Sequence, residues 1–138
     1  MKVLLDTHVW LWWLLGSERL QAHERSALDR LASRAALRVA AVSLWEAQML
    51  HAKGRLALNQ AFDVWIREAA SAAVVEIVPL DVEVVIALTG LPASFHGDPA
   101  DRLIVATARA HRMSLATHDR AIRKSRAATL WKPGRSRP

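Results

Sequence analysis

The sequence contains no cysteine among its 138 residues. This absence excludes disulfides, thiolate zinc sites and cysteine nucleophiles. A chain of this length forms one domain and buries about two-thirds of the surface that its unfolded form would expose. The fold and any catalytic site must therefore be built without thiol chemistry.

Long apolar runs are also missing. The longest, Val9–Leu15, has seven residues, whereas a helix that spans a membrane needs roughly 18 or more. The first residues include one lysine and then Asp6, a composition unlike that of a secretory signal peptide. We therefore expect no membrane-spanning segment and a cytoplasmic location.

The motifs of several enzyme classes are absent. No G-x-G-x-x-G or Walker sequence is present to bind nucleotide phosphates, and no G-x-S-x-G motif is present to place a serine nucleophile. The six histidines show no H-x-x-x-H spacing, although His96 and His118 lie near acids and are candidates to tune an acidic site. A phosphatase with an aspartyl nucleophile would have a second aspartate two places after Asp6, where this chain has His8.

Acidic residues are outnumbered, with 13 against 19 lysines and arginines, which gives a formal net charge of +6. From Arg120 onward there are seven basic residues and no acid. Such a segment is either a solvated tail or an electrostatic contact for a polyanion such as RNA. Charge alone does not decide between them. We expect residues 132–138, which are rich in proline and arginine, to be a basic, disordered tail.

Short apolar runs alternate with helical patterns along the chain. Strands are predicted at 2–6, 37–42, 74–78 and 114–117, with 128–131 as a candidate fifth. Helices are predicted at 9–15, 22–36, 43–53, 58–73, 81–88, 98–113 and 119–124. Gly16 is expected to end the first of them. This alternation implies an α/β fold over residues 1–131, with a small, mostly parallel central sheet flanked by helices.

Four acidic residues occupy comparable positions where these elements meet: Asp6, Glu46, Asp101 and Asp119. Ligands of open parallel sheets bind beyond the carboxyl ends of the strands. Four carboxylates meeting there would repel one another, and some of their pKa values would rise. A hard divalent cation, Mg²⁺ or alternatively Mn²⁺, would neutralise that charge. The cation would also activate a water and stabilise charge that develops on a phosphodiester.

Helix capping is the competing explanation for each acid. Ser43-x-x-Glu46 fits the capping box. Asp98, followed by proline, fits an N-cap with Asp101 three residues later, and Asp119 can cap the next helical turn. A single acid of this kind is more often a cap than a metal ligand, but the set of four favours a metal site, with Asp98 left as a cap.

Four blocks occur in the order and spacing of PIN-domain ribonucleases: LLDTHVWLWW, VSLWEAQ, HGDPADRLIVATARAHRM and LATHDRAI. The third block followed by LATHD is the most specific part of this pattern. From Met1 to about Trp131 the chain most closely resembles the VapC toxins of bacterial type II toxin–antitoxin pairs. The resemblance implies a PIN-like three-layer sandwich.

The resemblance also implies roles for individual residues. Asp6 and Asp101 match the principal Mg²⁺ ligands of the family. Glu46 matches the acid of its second motif, and Asp119 matches a fourth acid that often acts through water. Three small hydroxyl residues match positions that support the pocket: Thr7, Ser43 and Thr117.

Members of the resembled family cut RNA and are inhibited by a cognate antitoxin, whose C-terminal segment covers the acidic groove. They generally form homodimers within a larger toxin–antitoxin complex. Three tryptophans lie within four residues of the first block, at Trp10, Trp12 and Trp13. Tryptophans can stack nucleobases, but a core or interface position is the more usual role. We expect these three, with part of the 43–53 helix, to line the antitoxin groove or the dimer contact.

Two other hypotheses remain open at this point. The chain could be a non-catalytic PIN-like module that binds RNA or protein, although the presence of all four acids favours the enzyme. Alternatively the acids could only cap helices. In that case each substitution would cost about 0.5–2 kcal/mol of stability, and Mg²⁺ would leave the melting temperature unchanged.

Overall fold

The computed structural model describes residues 1–95 and 97–134. Within them the chain alternates between strands and helices. The strands are β1 Val3–Leu5, β2 Leu37–Ala40, β3 Glu76–Val78 and β4 Ser114–Ala116. The helices are α1 Thr7–Leu15, α2 Ala22–Ser33, α3 Ala41–Ala52, α4 Phe62–Ala69, α5 Val82–Thr89, α6 Pro99–Ala110 and α7 Arg120–Ser125.

The four strands form one sheet in the order β3-β2-β1-β4, and every neighbouring pair is parallel. The predicted α/β class and parallel sheet are confirmed. The candidate strand at 128–131 makes only a single parallel bridge, between Leu115 and Leu130. Two backbone hydrogen bonds of 2.8 Å, at Thr129 and Trp131, attach this segment to Leu115 beside β4.

Side chains alternate between the two faces of the sheet, and each face is covered by helices. Val3 and Leu5 belong to a core with residues of α1, α2 and α4. Leu4 points to the opposite core, which contains residues of α6 such as Ile104 and also Ile122 of α7. Because a buried parallel sheet needs apolar cover on both faces, the result is the predicted three-layer sandwich.

Two helices begin closer to the preceding strand than the sequence predicted. α1 begins at Thr7 rather than Val9, directly after its N-cap Asp6. α3 begins at Ala41, whereas residues 41 and 42 were predicted to be strand. Both helices therefore start at the carboxyl edge of the sheet, and polar side chains of their first turns lie at that edge.

The other boundaries differ by a few residues. Helices predicted at 22–36, 58–73 and 98–113 are shorter at one or both ends, but the predicted stop at Gly16 is confirmed, with φ of 68°. None of the helices in the described ranges is long and apolar enough to cross a membrane. The domain limit after Trp131 stays a prediction, and residues 135–138 of the predicted tail lie outside the described residues.

Trp10 corrects one expectation. Its side chain is fully buried and packs in the core beside Trp65, with ring centroids 6.3 Å apart. It therefore cannot line an antitoxin groove or a dimer contact. Trp12 and Trp13 are only partly buried, so the expectation for those two stays a prediction.

Candidate functional site

The candidate site lies at the carboxyl ends of β1 and β4. The chain adds β2 and then β3 on one side of β1. It then crosses back and places β4 on the other side of β1. Such a reversal of strand order opens a crevice between the two strands involved. Leu5 is level with Ala116, and the amide of Asp6 donates to the Ala116 carbonyl at 3.0 Å. Asp6 and Thr117 therefore begin the two walls of the crevice together.

Asp6 is buried, with 5% of its surface exposed, and both carboxylate oxygens accept hydrogen bonds. Oδ1 accepts from the amide of Val9 at 2.8 Å, and Oδ2 accepts from the hydroxyl of Thr117. Burial raises the pKa of Asp6, while the two hydrogen bonds and nearby His8 act in the opposite direction. Since each oxygen retains a second lone pair, Asp6 can cap α1 and still bind a cation.

Glu46 is held by a chain of hydroxyl groups rather than by a helix end. Thr7 Oγ donates to a Glu46 carboxylate oxygen. Ser43 Oγ lies 2.8 Å from Thr7 Oγ, and it must be the donor there because a hydroxyl has only one proton to give. Ser43 and Thr7 are both essentially inaccessible to solvent. Burial also raises the pKa of Glu46, opposed by the Thr7 hydrogen bond.

The capping box that competed with a site role for Ser43 and Glu46 is not formed. The N-cap of α3 is Ala40, which has no side chain able to cap. Because the helix begins at Ala41, Ser43 lies within its first turn and its hydroxyl is directed to Thr7. Glu46 lies in the second turn, where no unpaired helix amide is in reach.

Asp98 and Asp101 divide two tasks between them. Asp98 caps α6, accepting from the amide of Asp101 at 2.8 Å, with Pro99 at the first helical position as predicted. No hydrogen bond to the Asp101 carboxylate is found among residues 1–95 and 97–134. Burial, followed by the negative charges of Asp98, Asp119, Glu46 and Asp6, raises the pKa of Asp101 to about 7.

Asp119 completes the set from the β4 side. Its carboxylate accepts from the amide of Ile122 at 2.9 Å and so caps α7. Its own amide donates to Thr117 Oγ at 3.0 Å, and that hydroxyl in turn donates to Asp6. Thr117 therefore connects two of the four acids, which gives a physical role to one of the predicted supporting hydroxyls.

The four predicted acids therefore share one electrostatic environment, since the pKa of Asp101 responds to the other three. They do not converge on a single point: in the described parts of the chain, no three His, Asp or Glu side chains are placed to hold a metal ion. The donor set nevertheless fits a hard divalent cation, because the four acids and their supporting hydroxyls offer oxygen ligands. Asp101 is only partly buried.

Sequence reasoning missed Gly97, which precedes the cap of α6. A Cβ atom at this position would lie 2.6 Å from two ring atoms of Phe95 and 3.1 Å from the Cβ of Asp101. Phe95 is 2% exposed and cannot yield readily. The packing shows why a glycine stands here: any side chain would press on the Phe95 ring and on Asp101. The predicted tuning role of His96 lies outside the described residues.

Sequence reasoning also missed a cavity beside the acids. It has a volume of about 220 Å³ and is lined by Asp6, His8, Trp12, Arg19, His118 and Asp119. Four of these residues come from the N-cap of α1, from α1 itself and from the loop after it, and two follow β4. Their meeting depends on strand order, for which the sequence held no signal.

Comparison with known proteins agrees with this architecture. The family model of the PIN domain matches residues 3–127. Ribonuclease VapC22 of Mycobacterium tuberculosis (strain ATCC 25618 / H37Rv) is 37% identical over 132 residues, which cover 94% of this chain and 98% of that protein.

Two solved structures are similar in fold. VapBC2 from Rickettsia felis, bound to a promoter DNA fragment, matches with a TM-score of 0.71 at 15% identity, covering 95% of this chain and 98% of its own. FitAcB from Neisseria gonorrhoeae matches with a TM-score of 0.68 at 20% identity, covering 95% and 97%. The predicted resemblance is confirmed: the chain belongs to the PIN-domain family and, within it, to the VapC proteins.

Proposed function

We propose that this chain is a Mg²⁺-dependent endoribonuclease toxin that hydrolyses RNA phosphodiester bonds, with Mn²⁺ as an alternative metal. The observation that supports this most directly is the raised pKa of Asp101. Four other carboxylates raise its pKa, in addition to burial. A fold that brings so many like charges together gains stability when a divalent cation neutralises them.

The residues of the site have distinct roles in this proposal. Asp6 and Asp101 bind the cation, Glu46 and Asp119 complete its coordination directly or through water, and Thr7, Ser43 and Thr117 fix the carboxylates. When bound, the cation lowers the pKa of a water and offsets charge that develops on the phosphodiester. The hydroxyl chain from Ser43 to Glu46 keeps that carboxylate in one orientation, so less reorganisation is needed during reaction.

We further propose that a cognate antitoxin inhibits the chain by covering the acidic groove. Apolar side chains are exposed on the two helices that carry Thr7 and Glu46, among them Trp45, which is 54% exposed and precedes Glu46 on α3. Leu15 at the end of α1 is 43% exposed. The closely similar relative is named a VapC ribonuclease, and the VapC class implies a toxin that acts in the cytoplasm.

A homodimer is the proposed oligomeric state. The outer face of α5 has three exposed apolar residues: Val82 at 71%, Val85 at 51% and Ile86 at 59%. Contiguous exposed apolar surface of this kind usually marks a protein contact. Ile86→Glu should convert a dimer to a monomer in size-exclusion chromatography with light scattering, and an unchanged mass would place the contact elsewhere.

The function is tested by comparing RNA 5′ ends after brief expression of the wild type and of Asp6→Asn. Asn at this position keeps an oxygen to cap α1 but loses the charge that binds a cation. The wild type should produce new 5′ ends at defined sites, and Asp6→Asn should produce none. The purified wild type should cleave the same sites with Mg²⁺ and fail to cleave them in EDTA.

Asp63→Asn provides the matched control, because Asp63 is an exposed acid in the first turn of α4. It should cleave like the wild type. Cleavage that survives Asp6→Asn, or that persists in excess EDTA, would contradict the proposal. RNA binding without any cleavage by the wild type would favour the non-catalytic binding module instead.

A further inference from the structure

The cavity beside the acids differs in character from the acids themselves. Asp6 and Asp119 contribute to its lining, and the rest is aromatic or basic: His8, Trp12, Arg19 and His118. Its volume of about 220 Å³ is below the roughly 300–1,000 Å³ of pockets that hold drug-sized ligands. A single planar ring system matches this size.

The indole ring of Trp12 lines this cavity, and the side chain also contacts the core. It packs against the core from a partly buried position, whereas Trp10 is fully buried. The guanidinium carbon of Arg19 lies over the ring, 5.9 Å from its centroid. A planar group inserted between them would need roughly 7 Å, two contact distances of about 3.5 Å. Arg19 is exposed and can withdraw by that difference.

A side-chain contact between His118 and Glu24 fixes the far side of the cavity. The ring of His118 meets Trp12 edge-on, with centroids 5.4 Å apart and planes at 84°. Its Nε2 lies 2.6 Å from a carboxylate oxygen of Glu24, whose side chain is only 13% exposed. Glu24 is in turn held by the amide of Gln21 at 3.2 Å. The orientation of His118 is therefore built into the fold.

We propose that this cavity is a nucleobase subsite that takes one unpaired base of the RNA and stacks it between Trp12 and Arg19. The inference rests on the ribonuclease proposed above and extends it to substrate recognition. The carboxylates repel phosphate, which favours the uncharged part of a nucleotide at this end. Proteins that read single-stranded RNA stack bases on tryptophan, histidine and arginine planes. The cleaved RNA must then present an unpaired nucleotide next to the scissile phosphodiester.

RNA binding is measured separately from cleavage, in EDTA. All substitutions are made in the Asp101→Asn variant, which serves as the parent protein. The probe is a fluorescein-labelled single-stranded RNA of about 12 nucleotides that spans a site cut by the wild type, followed by fluorescence anisotropy. Trp12→Leu keeps apolar contact with the core but has no ring to stack, and it should weaken binding about tenfold or more. Trp12→Phe should retain most of the affinity.

Trp13→Leu is the matched control, because Trp13 neighbours Trp12 but directs its indole N–H to Asp29 at 2.9 Å instead. It should bind RNA like the parent. A Trp12→Leu variant that binds as tightly as Trp13→Leu would overturn the proposal. Annealing the probe to its complement should also weaken binding, because a paired base is not available to the cavity.

A scan of the probe with single abasic nucleotides tests the same contact without altering the protein. One position should lose about as much affinity as Trp12→Leu does. Removing that base and the tryptophan ring together should cost little more than either alone. An even response along the probe would overturn the subsite even if Trp12→Leu fails to fold, and additive losses would overturn it where that variant folds. Absence of cleavage by the wild type would instead overturn the proposed ribonuclease, which the 5′-end comparison detects independently.

Discussion

The two sides of the acid cluster are held in different ways. On the β1 side, Asp6 and Glu46 accept hydrogen bonds from buried hydroxyls, which fix both carboxylates in place. On the α6 side, Asp101 is positioned only through its backbone, by the Asp98 cap and by close packing at Gly97. One side is therefore preorganised by polar contacts. The other is positioned sterically and keeps a carboxylate available to a ligand.

This difference explains why capping and metal binding were not true alternatives. Asp6 and Asp119 cap helices and also border the crevice, whereas Asp101 and Glu46 cap nothing in the described residues. A carboxylate has more lone pairs than a helix amide uses. Capping fixes an acid at the edge of the sheet and leaves it free to act there.

Asp101→Asn should have the largest effect on activity. It removes the acid whose negative charge is least satisfied within the protein, and RNA cleavage should fall about 10³-fold or more, the scale of losing a metal ligand. The fold should be retained, as judged by circular dichroism. Asp63→Asn should retain activity. Near-normal cleavage by Asp101→Asn would show that the acid on α6 is not part of the site.

Gly97→Ala tests whether steric fit positions Asp101. The new methyl group would clash with the Phe95 ring at 2.6 Å, so the loop before α6 must shift and cleavage should fall up to about a hundredfold. Gly90→Ala is the control, because its methyl group would meet only the Ala87 carbonyl at an ordinary 3.6 Å. Equal rates for the two variants would show that Asp101 tolerates displacement.

Thr7→Val tests the polar side. It leaves the shape of the side chain nearly unchanged but breaks the hydroxyl chain from Ser43 to Glu46, and cleavage should fall about tenfold to hundredfold. Unfolding measurements should also show a loss of about 1–3 kcal/mol from the unpaired Ser43 hydroxyl. Thr7→Ser should restore activity. Thr89→Val, at an exposed hydroxyl on α5, should change neither property.

The metal-free protein should also show a pH signature of Asp101. Its pKa in the folded protein, about 7, lies above the ordinary 3.8. The folded state therefore keeps a proton that the unfolded chain has lost between these values, and stability falls as pH rises through that interval. In EDTA, Asp101→Asn should melt a few degrees above the wild type at about pH 8. The two should converge below about pH 4, and a constant difference would contradict the raised pKa.

The sequence predicted the fold class because apolar runs and helical periodicity are local properties. It also predicted the Asp98 cap and the helix stop at Gly16, which depend on neighbouring residues only. The order of the strands was not predictable, since β4 lies beside β1 through contacts between residues more than a hundred positions apart. That order determines which side chains surround Asp6.

The misassigned features share this cause. Ser43 and Glu46 matched a capping box locally, but Thr7 competes for both through tertiary packing. Trp10 resembled its neighbours Trp12 and Trp13 in sequence, yet the helix turns it into the core. The acid positions came from the sequence pattern, the hydroxyl positions came from the family resemblance, and the cavity at Trp12 came only from the structure.

The central claim is that the carboxylates act as one cation site, and the melting temperature measured with and without Mg²⁺ tests it most directly. At about pH 8, Mg²⁺ in about hundredfold excess over its Kd should raise the melting temperature of the wild type and of Asp63→Asn by about 5 °C or more. Asp101→Asn, which has lost a ligand, should show little change. An equal rise in all three proteins, or none in the wild type, would contradict the account.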